Sequence, residues 1–88
     1  MKSYKIELSR EAAAFLAEIA YYHGSLYRRI ANAIESLKTN PYQGKLLKAK
    51  LKGRYSRRVG AYRIVYKIEA DKLIIFVIDI NHRRDVYR

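Results

Sequence analysis

The segment RYSRRVGAYRIVYKIEADKLIIFVIDI, residues 54–80, decides the fold, because it holds three strand-like runs separated by two turn signals. The runs extend from Arg54 to Val59, from Tyr62 to Ile68 and from Leu73 to Ile80. Gly60-Ala61 predicts the first turn, and Glu69 to Lys72 predicts the second. The last run is almost wholly apolar, which predicts a central strand covered on both faces. The segment therefore predicts a three-stranded antiparallel meander.

Towards the N-terminus, residues 4–8 alternate between apolar and charged side chains, which predicts a half-buried strand. Ser9 stands at the N-cap position of a first helix, and Glu11 in its first turn faces the positive end of the helix dipole. Gly24 is typical of the residue that follows a helix. The apolar side of this helix is predicted to contain Phe15, Leu16, Ile19, Ala20 and His23.

A second helix is predicted from Ser25, its expected N-cap, to the residues before Pro41. Its short joint with the first helix predicts an antiparallel helix hairpin. The stretch from Pro41 to Lys52 has a weak pattern and is interpreted as a basic loop. The predicted order is β-α-α-β-β-β in a single domain, residues 1–88. The expected fold class is α+β, with the helices packed on one face of the sheet.

The charge distribution predicts a polyanionic ligand. Nineteen basic residues against 8 acidic ones give a net charge of +11. Ten of the basic residues lie between Leu37 and Ile68, a stretch without Asp or Glu. Basic side chains at this density repel one another in the folded state, so we expect that they are retained because they bind a partner of the opposite charge. Among polyanions, a nucleic acid is the predicted ligand.

Other features of the composition exclude several classes of protein. The chain of 88 residues has no cysteine, so it can form neither a disulfide nor a thiolate metal site. Residues 1–5 lack the apolar core of a secretory signal. The longest apolar run, Leu73 to Ile78, is far shorter than a membrane span. We therefore expect a cytoplasmic protein with no membrane partner.

Alternation along the strands sorts the basic side chains by sheet face. Arg58 and Arg63 flank the Gly60-Ala61 turn and are expected to converge on the face away from the helices, called the outer face below. Two interpretations remain open from spacing alone. One is a phosphate-binding site, and the other is a solvated sheet face on which arginines extend their charged ends into water.

Two stretches resemble the RelE/ParE toxin superfamily. LKGRYSRRVGAYRIVY, residues 51–66, resembles the core signature of that superfamily, and NHRRDVY, residues 81–87, resembles the RelE-type C-terminus. The resemblance implies the toxin of a type II toxin-antitoxin module, which enters the ribosomal A site and cuts messenger RNA there. It also implies binding to ribosomal RNA, and a RelB-like antitoxin that blocks the toxin in a heteromeric complex.

The resemblance also implies which residues meet the RNA. Its RNA-facing basic residues and its catalytic tyrosine fall on Arg54, Arg58, Arg63, Arg83 and Tyr87. One member of the superfamily has a second lysine at a position that is Ser56 here, and a serine cannot supply that positive charge. Lys52 or Arg54 is the candidate to replace it.

The acidic residues are scattered without ligand spacing, so we expect metal-free cleavage that needs no cofactor. In that chemistry the ribose 2′-hydroxyl attacks the adjacent phosphorus and leaves a cyclic phosphate. Arg58, Arg63 and Arg83 are predicted to hold the scissile phosphate, because guanidinium groups bind phosphate oxygens bidentately. Tyr87 is predicted to act on a proton or to stack on a base. His82 and Arg54 are further candidates for a catalytic role, and His82 is equally compatible with a structural one.

A wider set of basic residues is predicted to contact the RNA backbone without taking part in the chemistry. This set is Lys45, Lys48, Lys50, Lys52, Arg54 and Arg57. The alternative is a solubilising loop. Tyr42 is expected to be exposed and able to stack on a base. Four other tyrosines lie in apolar periodicity and are expected in the core: Tyr4, Tyr27, Tyr62 and Tyr66.

Two rival functions remain. The ParE branch inhibits DNA gyrase, and the resemblance implies that it shares the fold without the cleavage. A non-catalytic RNA-binding module is the other alternative. The C-terminal HRRDVY, residues 82–87, favours the RelE branch.

Overall fold

The predicted meander is present in the computed structural model, which describes residues 3–48 and 52–82. Its strands are β3 (Tyr55–Val59), β4 (Tyr62–Glu69) and β5 (Ile74–His82), and each pairs with the next in antiparallel fashion. Gly60 has φ 58°, a left-handed conformation that glycine adopts without steric cost and that closes the β3–β4 turn.

Two further strands extend the sheet at its edges. β1 (Lys5–Leu8) pairs with β5 in parallel, and β2 (Lys45–Leu46) pairs with β3 in antiparallel fashion. The strand order is β1-β5-β4-β3-β2. The α+β class and the β-α-α-β-β-β order are therefore confirmed, with a mixed sheet and one additional short strand. The middle strand is β4 rather than β5, because the unpredicted β2 adds a strand beyond β3.

The helix hairpin consists of α1 (Arg10–Tyr22) and α2 (Gly24–Ser36). Ser9 caps α1 as predicted, since its side chain accepts a hydrogen bond from the Ala12 N–H. Gly24 follows the C-cap residue His23, as predicted, but it is also the first residue of α2, so the prediction that Ser25 caps α2 is wrong. His23 joins the helices instead, because its N–H donates to the Ile19 carbonyl and its own carbonyl accepts from the Tyr27 N–H.

The stretch predicted as a basic loop has local structure. A 3₁₀ helix covers Pro41–Gln43, and β2 follows at once. Neither element has a periodic pattern that sequence reasoning can detect, because each spans only two or three residues. Pro41 is buried, whereas Tyr42 is 58% exposed as predicted.

One apolar core lies between the helices and one sheet face. Its largest fully buried side chains are Tyr66, Ile30, Leu37, Ile64, Ile75 and Val77. Tyr4 and Tyr62 are half-buried against this core, but Tyr27, also predicted there, is 36% exposed. Phe76 on the outer side of β5 is only half-buried, so that strand is fully covered on one face alone. Within residues 3–48 and 52–82, no helix has both the length and the apolar character to cross a membrane.

A bulge in β5 changes which side chains share a face. Val65 pairs with Asp79, whereas the next residue, Tyr66, pairs with Val77, so Ile78 is left over. The Ile78 carbonyl accepts a hydrogen bond of 2.6 Å from the Ser9 hydroxyl. The start of α1 is thereby fixed to the bulge.

Candidate nucleic-acid interface

Arg58 and Arg63 lie directly opposite each other across β3 and β4, next to the Gly60 turn. Because paired residues point to the same side of a sheet, both side chains project from the outer face. They line a pocket of about 270 Å³ together with Lys45, Leu47 and Ser56. These five residues are called the basic pocket below. The structure thus brings together two of the four predicted catalytic residues.

The two arginines differ in burial. Arg58 is exposed, whereas only 5% of Arg63 is exposed. A buried arginine is uncommon unless its charge is compensated, so a solvated sheet face does not describe Arg63. Asn81 is the cross-strand partner of Arg63, and its amide nitrogen donates to the Asp79 carboxylate at 2.5 Å. The basic pocket therefore has an acidic side chain on the same sheet face.

Lys45 reaches the basic pocket from the edge strand β2, where it lies opposite Ser56. The preceding Gly44 approaches the sheet so closely that a Cβ atom there would lie 2.9 Å from the Ser56 carbonyl oxygen. The Gly44 N–H donates to the Tyr66 hydroxyl at 3.1 Å, and that hydroxyl donates to the Pro41 carbonyl at 2.7 Å. A buried tyrosine thus holds the segment that carries Lys45.

The Tyr66 hydroxyl stays protonated in this setting. Burial is the largest influence and raises its pKa, and the nearby Tyr55 also raises it. The Gly44 hydrogen bond and the charge of Arg57 lower the pKa by smaller amounts. Because the pKa lies above its ordinary value of about 10, the hydroxyl can donate and accept at the same time at neutral pH.

Two of the predicted residues lie on the opposite, helix-facing side of the sheet. The Arg57 Nε donates to the Gln43 side-chain oxygen at 2.6 Å, and Gln43 in turn contacts Ser36 at the end of α2. The His82 ring lies edge-on to Tyr62, with ring centroids 5.3 Å apart. Neither Arg57 nor His82 lines the basic pocket, so an RNA-binding role for Arg57 and a catalytic role for His82 gain nothing from this geometry.

The remaining predicted residues either do not line the basic pocket or lie outside the described part of the chain. Lys48 and Lys52 are exposed, and the half-buried Arg54 uses its carbonyl to accept from the Leu47 N–H at 2.8 Å. These residues border the segment 49–51, which the structure does not describe. The predictions for Lys50, Arg83 and Tyr87 also lie outside the described residues.

Sequence reasoning missed several residues that form or support the basic pocket. Asp79 and Asn81 reach the outer face only because of the bulge, and no sequence signal marks it. Gly44 and Tyr66 hold β2 in place through contacts between residues 22 positions apart. Gly44 itself was an available signal, since a glycine in or next to a strand often marks a close backbone approach.

Comparison with known proteins identifies relatives for this arrangement. The family model described as the ParE toxin of the type II toxin-antitoxin system parDE matches residues 6–87. Toxin RelG of Mycobacterium tuberculosis is 38% identical over 45 residues, which cover 51% of this chain and 52% of that protein. The chain therefore matches about half the length of this curated relative.

Solved structures resemble the fold over almost the whole chain. The toxin-antitoxin complex RelBE2 from Mycobacterium tuberculosis contains a chain with a TM-score of 0.79 and 24% identity, covering 92% of this chain and 99% of that one. The YoeB/ParE toxin from Agrobacterium tumefaciens has a TM-score of 0.81 and 20% identity, covering 89% and 96% respectively. At these identities the likeness establishes the fold alone.

Proposed function

This chain belongs to the ParE toxin family of type II toxin-antitoxin systems, within the RelE/ParE superfamily, and we propose that its activity is that of the RelE branch, cleavage of messenger RNA in the ribosomal A site. The observation that carries this proposal is the basic pocket, where Arg58 and Arg63 face one space of about 270 Å³. Such an activity requires translating ribosomes, so we also propose a cytoplasmic location.

The basic pocket suits the charge that develops during RNA cleavage. When the 2′-hydroxyl attacks the adjacent phosphorus, negative charge grows on the non-bridging oxygens. Arg58 and Arg63 would donate hydrogen bonds to those oxygens, and Arg83 would join them from the C-terminal segment. Tyr87 would take the proton of the 2′-hydroxyl. Within the described residues, no three or more His, Cys, Asp or Glu side chains form a group that could hold a metal ion.

Single-turnover cleavage of a ribosome-bound message tests this role. Arg63→Ala should slow the chemical step by about 100- to 1000-fold, because it removes a donor to the developing charge. Arg58→Ala is a second variant. Because Arg58 is exposed, this change leaves the buried Arg63 side chain in place. Lys72→Ala is the matched control, because Lys72 is a basic residue outside the pocket. It lies in the β4–β5 turn, where its Nζ atom is 3.7 Å from the Glu69 Oε2 atom. Wild-type rates for Arg63→Ala and Arg58→Ala would refute the role.

Inhibition of DNA gyrase is a second candidate, favoured by the ParE description of the matching family model. Induction in cells separates the two functions by which process stops first, translation or supercoiling. Purified protein then provides the direct comparison, with primer extension on translated message in one assay and gyrase supercoiling in the other. RNA binding without cut sites in the first assay would favour the remaining alternative, a non-catalytic RNA-binding module.

We also propose that an antitoxin covers an apolar groove beside the helix hairpin. The groove has a volume of about 190 Å³ and is lined by Ile6, Leu8, Leu16, Tyr27, Ala31, Ile34, Glu35 and Lys38. Leu8 and Tyr27 are exposed there at 39% and 36%, and the strand β1 beside them is an edge of the sheet. Apolar anchors in this groove would keep the complex intact at salt concentrations that weaken charge pairing.

Co-expression with the neighbouring gene product tests the partner. Leu8→Lys and Tyr27→Ala should weaken neutralisation of the toxin, because both side chains line the groove. Tyr21→Ala is the control, since Tyr21 is 81% exposed on α1 and does not line the groove. Full neutralisation of Leu8→Lys and Tyr27→Ala would place the antitoxin elsewhere.

A further inference from the structure

The basic pocket contains a cation that can release a proton. Arginine remains protonated at any working pH, so Arg58 and Arg63 stabilise charge but are poor proton donors. Lys45 shares the pocket, and an ammonium group can both carry charge and transfer a proton. Cleavage of RNA needs such a group, because the departing 5′-oxygen is a poor leaving group unless it is protonated.

The cross-strand register places Lys45 on the same sheet face as Ser56 and Arg63. Lys45 lies opposite Ser56, and Ser56 lies opposite Val65 on the next strand. Ser56 is buried but lines the pocket, and its small side chain fills little of that space. Arg63 lies two strands across from Lys45 and two residues from Val65 along β4, on the same face. With strands about 4.8 Å apart and about 3.3 Å per residue, their backbones are roughly 12 Å apart, a separation that two long side chains can span around one phosphodiester.

The backbone that carries Lys45 is held firmly for an edge strand. Gly44 is bound through its N–H to the Tyr66 hydroxyl, and the Leu47 N–H donates to the Arg54 carbonyl at 2.8 Å. The buried ring of Tyr66 stacks on Tyr55, with centroids 5.6 Å apart. Lys45 thus projects from a fixed point, which a general acid requires and a lysine in a solubilising loop does not.

We propose that Lys45, which lies opposite the uncharged Ser56, is the general acid of the cleavage reaction. This inference rests on the proposed nuclease function. The 2′-oxygen forms a bond to phosphorus and its proton passes to a base, the role predicted for Tyr87. The P–O5′ bond breaks, and the Lys45 ammonium gives its proton to the 5′-oxygen. The products are a 2′,3′-cyclic phosphate and a 5′-hydroxyl, and the resulting amine regains its proton from water.

The test uses ribosomes programmed with a short message that carries one cleavable linkage. In a second message, sulfur replaces the 5′-bridging oxygen at that linkage, because a thiolate leaves without protonation. Lys45→Arg keeps the positive charge but cannot supply the proton, and Lys45→Ala removes both. Lys72→Arg serves as the control outside the pocket. Single-turnover cleavage gives the chemical step, and binding of a message with a 2′-deoxy sugar at the cut site gives the affinity.

Lys45→Arg should slow cleavage of the normal message by about 100-fold or more, the usual contribution of a general acid. On the sulfur-containing message the same variant should approach the wild-type rate, and it should bind the 2′-deoxy message as wild type does. Lys45→Ala should lose affinity in addition.

Two results would overturn the assignment. Cleavage of the normal message by Lys45→Arg at the wild-type rate would show that only charge matters at this position. An equal defect on both messages would show that Lys45 does not act on the leaving group. Either result leaves the nuclease function standing, whereas absence of cleavage by the wild-type protein removes the nuclease function and this role together.

Discussion

At the scale of single residues, glycines decide where the cationic groups meet. Gly60 adopts φ 58°, and the turn that it closes places Arg58 opposite Arg63. A Cβ atom on Gly60 would also lie 2.8 Å from the guanidinium of Arg29, which extends from α2 to the turn. That guanidinium is the mobile end of a long side chain and can move aside. The backbone conformation is therefore the stronger reason for glycine.

Gly60→Ala should lower the free energy of unfolding by about 1–2 kcal/mol, because an L-residue is strained in the left-handed region. Urea denaturation measures the change. Gly24→Ala is the matched control, since Gly24 is helical and its nearest contact to an added Cβ would be an ordinary 3.8 Å. Equal stability of Gly60→Ala and wild type would contradict the turn conformation described here.

At the scale of elements, the bulge in β5 and the short strand β2 determine which side chains share the outer face. Strict alternation from Val77 would have put Asp79 in the core and His82 on the outer face beside Arg63. The bulge reverses both, because it shifts the register between Val65 and Tyr66 by one residue. β2 brings Lys45 to the pocket, although its two residues have no strand pattern of their own. The bulge and the two-residue strand therefore determine which side chains lie on the outer face.

The Tyr66 hydroxyl connects these elements, and Tyr66→Phe should detach β2 without emptying the core. We expect a loss of about 1–3 kcal/mol at neutral pH, because the Gly44 N–H and the Pro41 carbonyl lose their partner. Because burial raises the Tyr66 pKa, its contribution is complete below about pH 10 and is lost as pH rises through the raised value. Denaturation of both proteins across that range should therefore show the stability difference shrinking at alkaline pH.

A constant difference between wild type and Tyr66→Phe up to the highest pH tested would contradict the burial of this hydroxyl. Tyr42→Phe controls for the general effect of removing a tyrosine hydroxyl, because Tyr42 is 58% exposed. Tyr66→Phe should also slow cleavage, as Lys45→Arg does. The Tyr66 hydroxyl holds the Gly44 backbone next to Lys45, so its loss displaces the Lys45 ammonium group.

At the scale of the whole molecule, the sheet separates two kinds of surface. The basic pocket lies on the outer face, whereas the apolar groove lies along β1 and the helices. An RNA and an antitoxin segment can therefore use chemically different surfaces of an 88-residue chain. The net charge of +11 extends over both surfaces and attracts polyanions to the protein at long range.

Binding of RNA should weaken steeply with salt, because each lysine–phosphate contact releases a counterion. For a single-stranded RNA, Lys48→Ala should reduce the slope of log affinity against log salt concentration by about 0.7. Lys72→Ala should leave the slope unchanged. Fluorescence anisotropy with a 2′-deoxy analogue measures the affinity without cleavage. An unchanged slope for Lys48→Ala would favour the solubilising-loop interpretation.

Local periodicity, capping and composition were enough to predict the meander, the Ser9 helix start and the location of positive charge. The sequence also carried the family resemblance, in LKGRYSRRVGAYRIVY and NHRRDVY, residues 51–66 and 81–87. Alternation along β3 already separated Arg57 from Arg58, but long-range contacts were needed to show that His82 faces the helices and that Lys45 lies opposite Ser56. These placements depend on the bulge in β5, on the two-residue strand β2 and on the hydrogen bond between Tyr66 and the distant Gly44. Such contacts join positions far apart in the chain, so no local pattern encodes them.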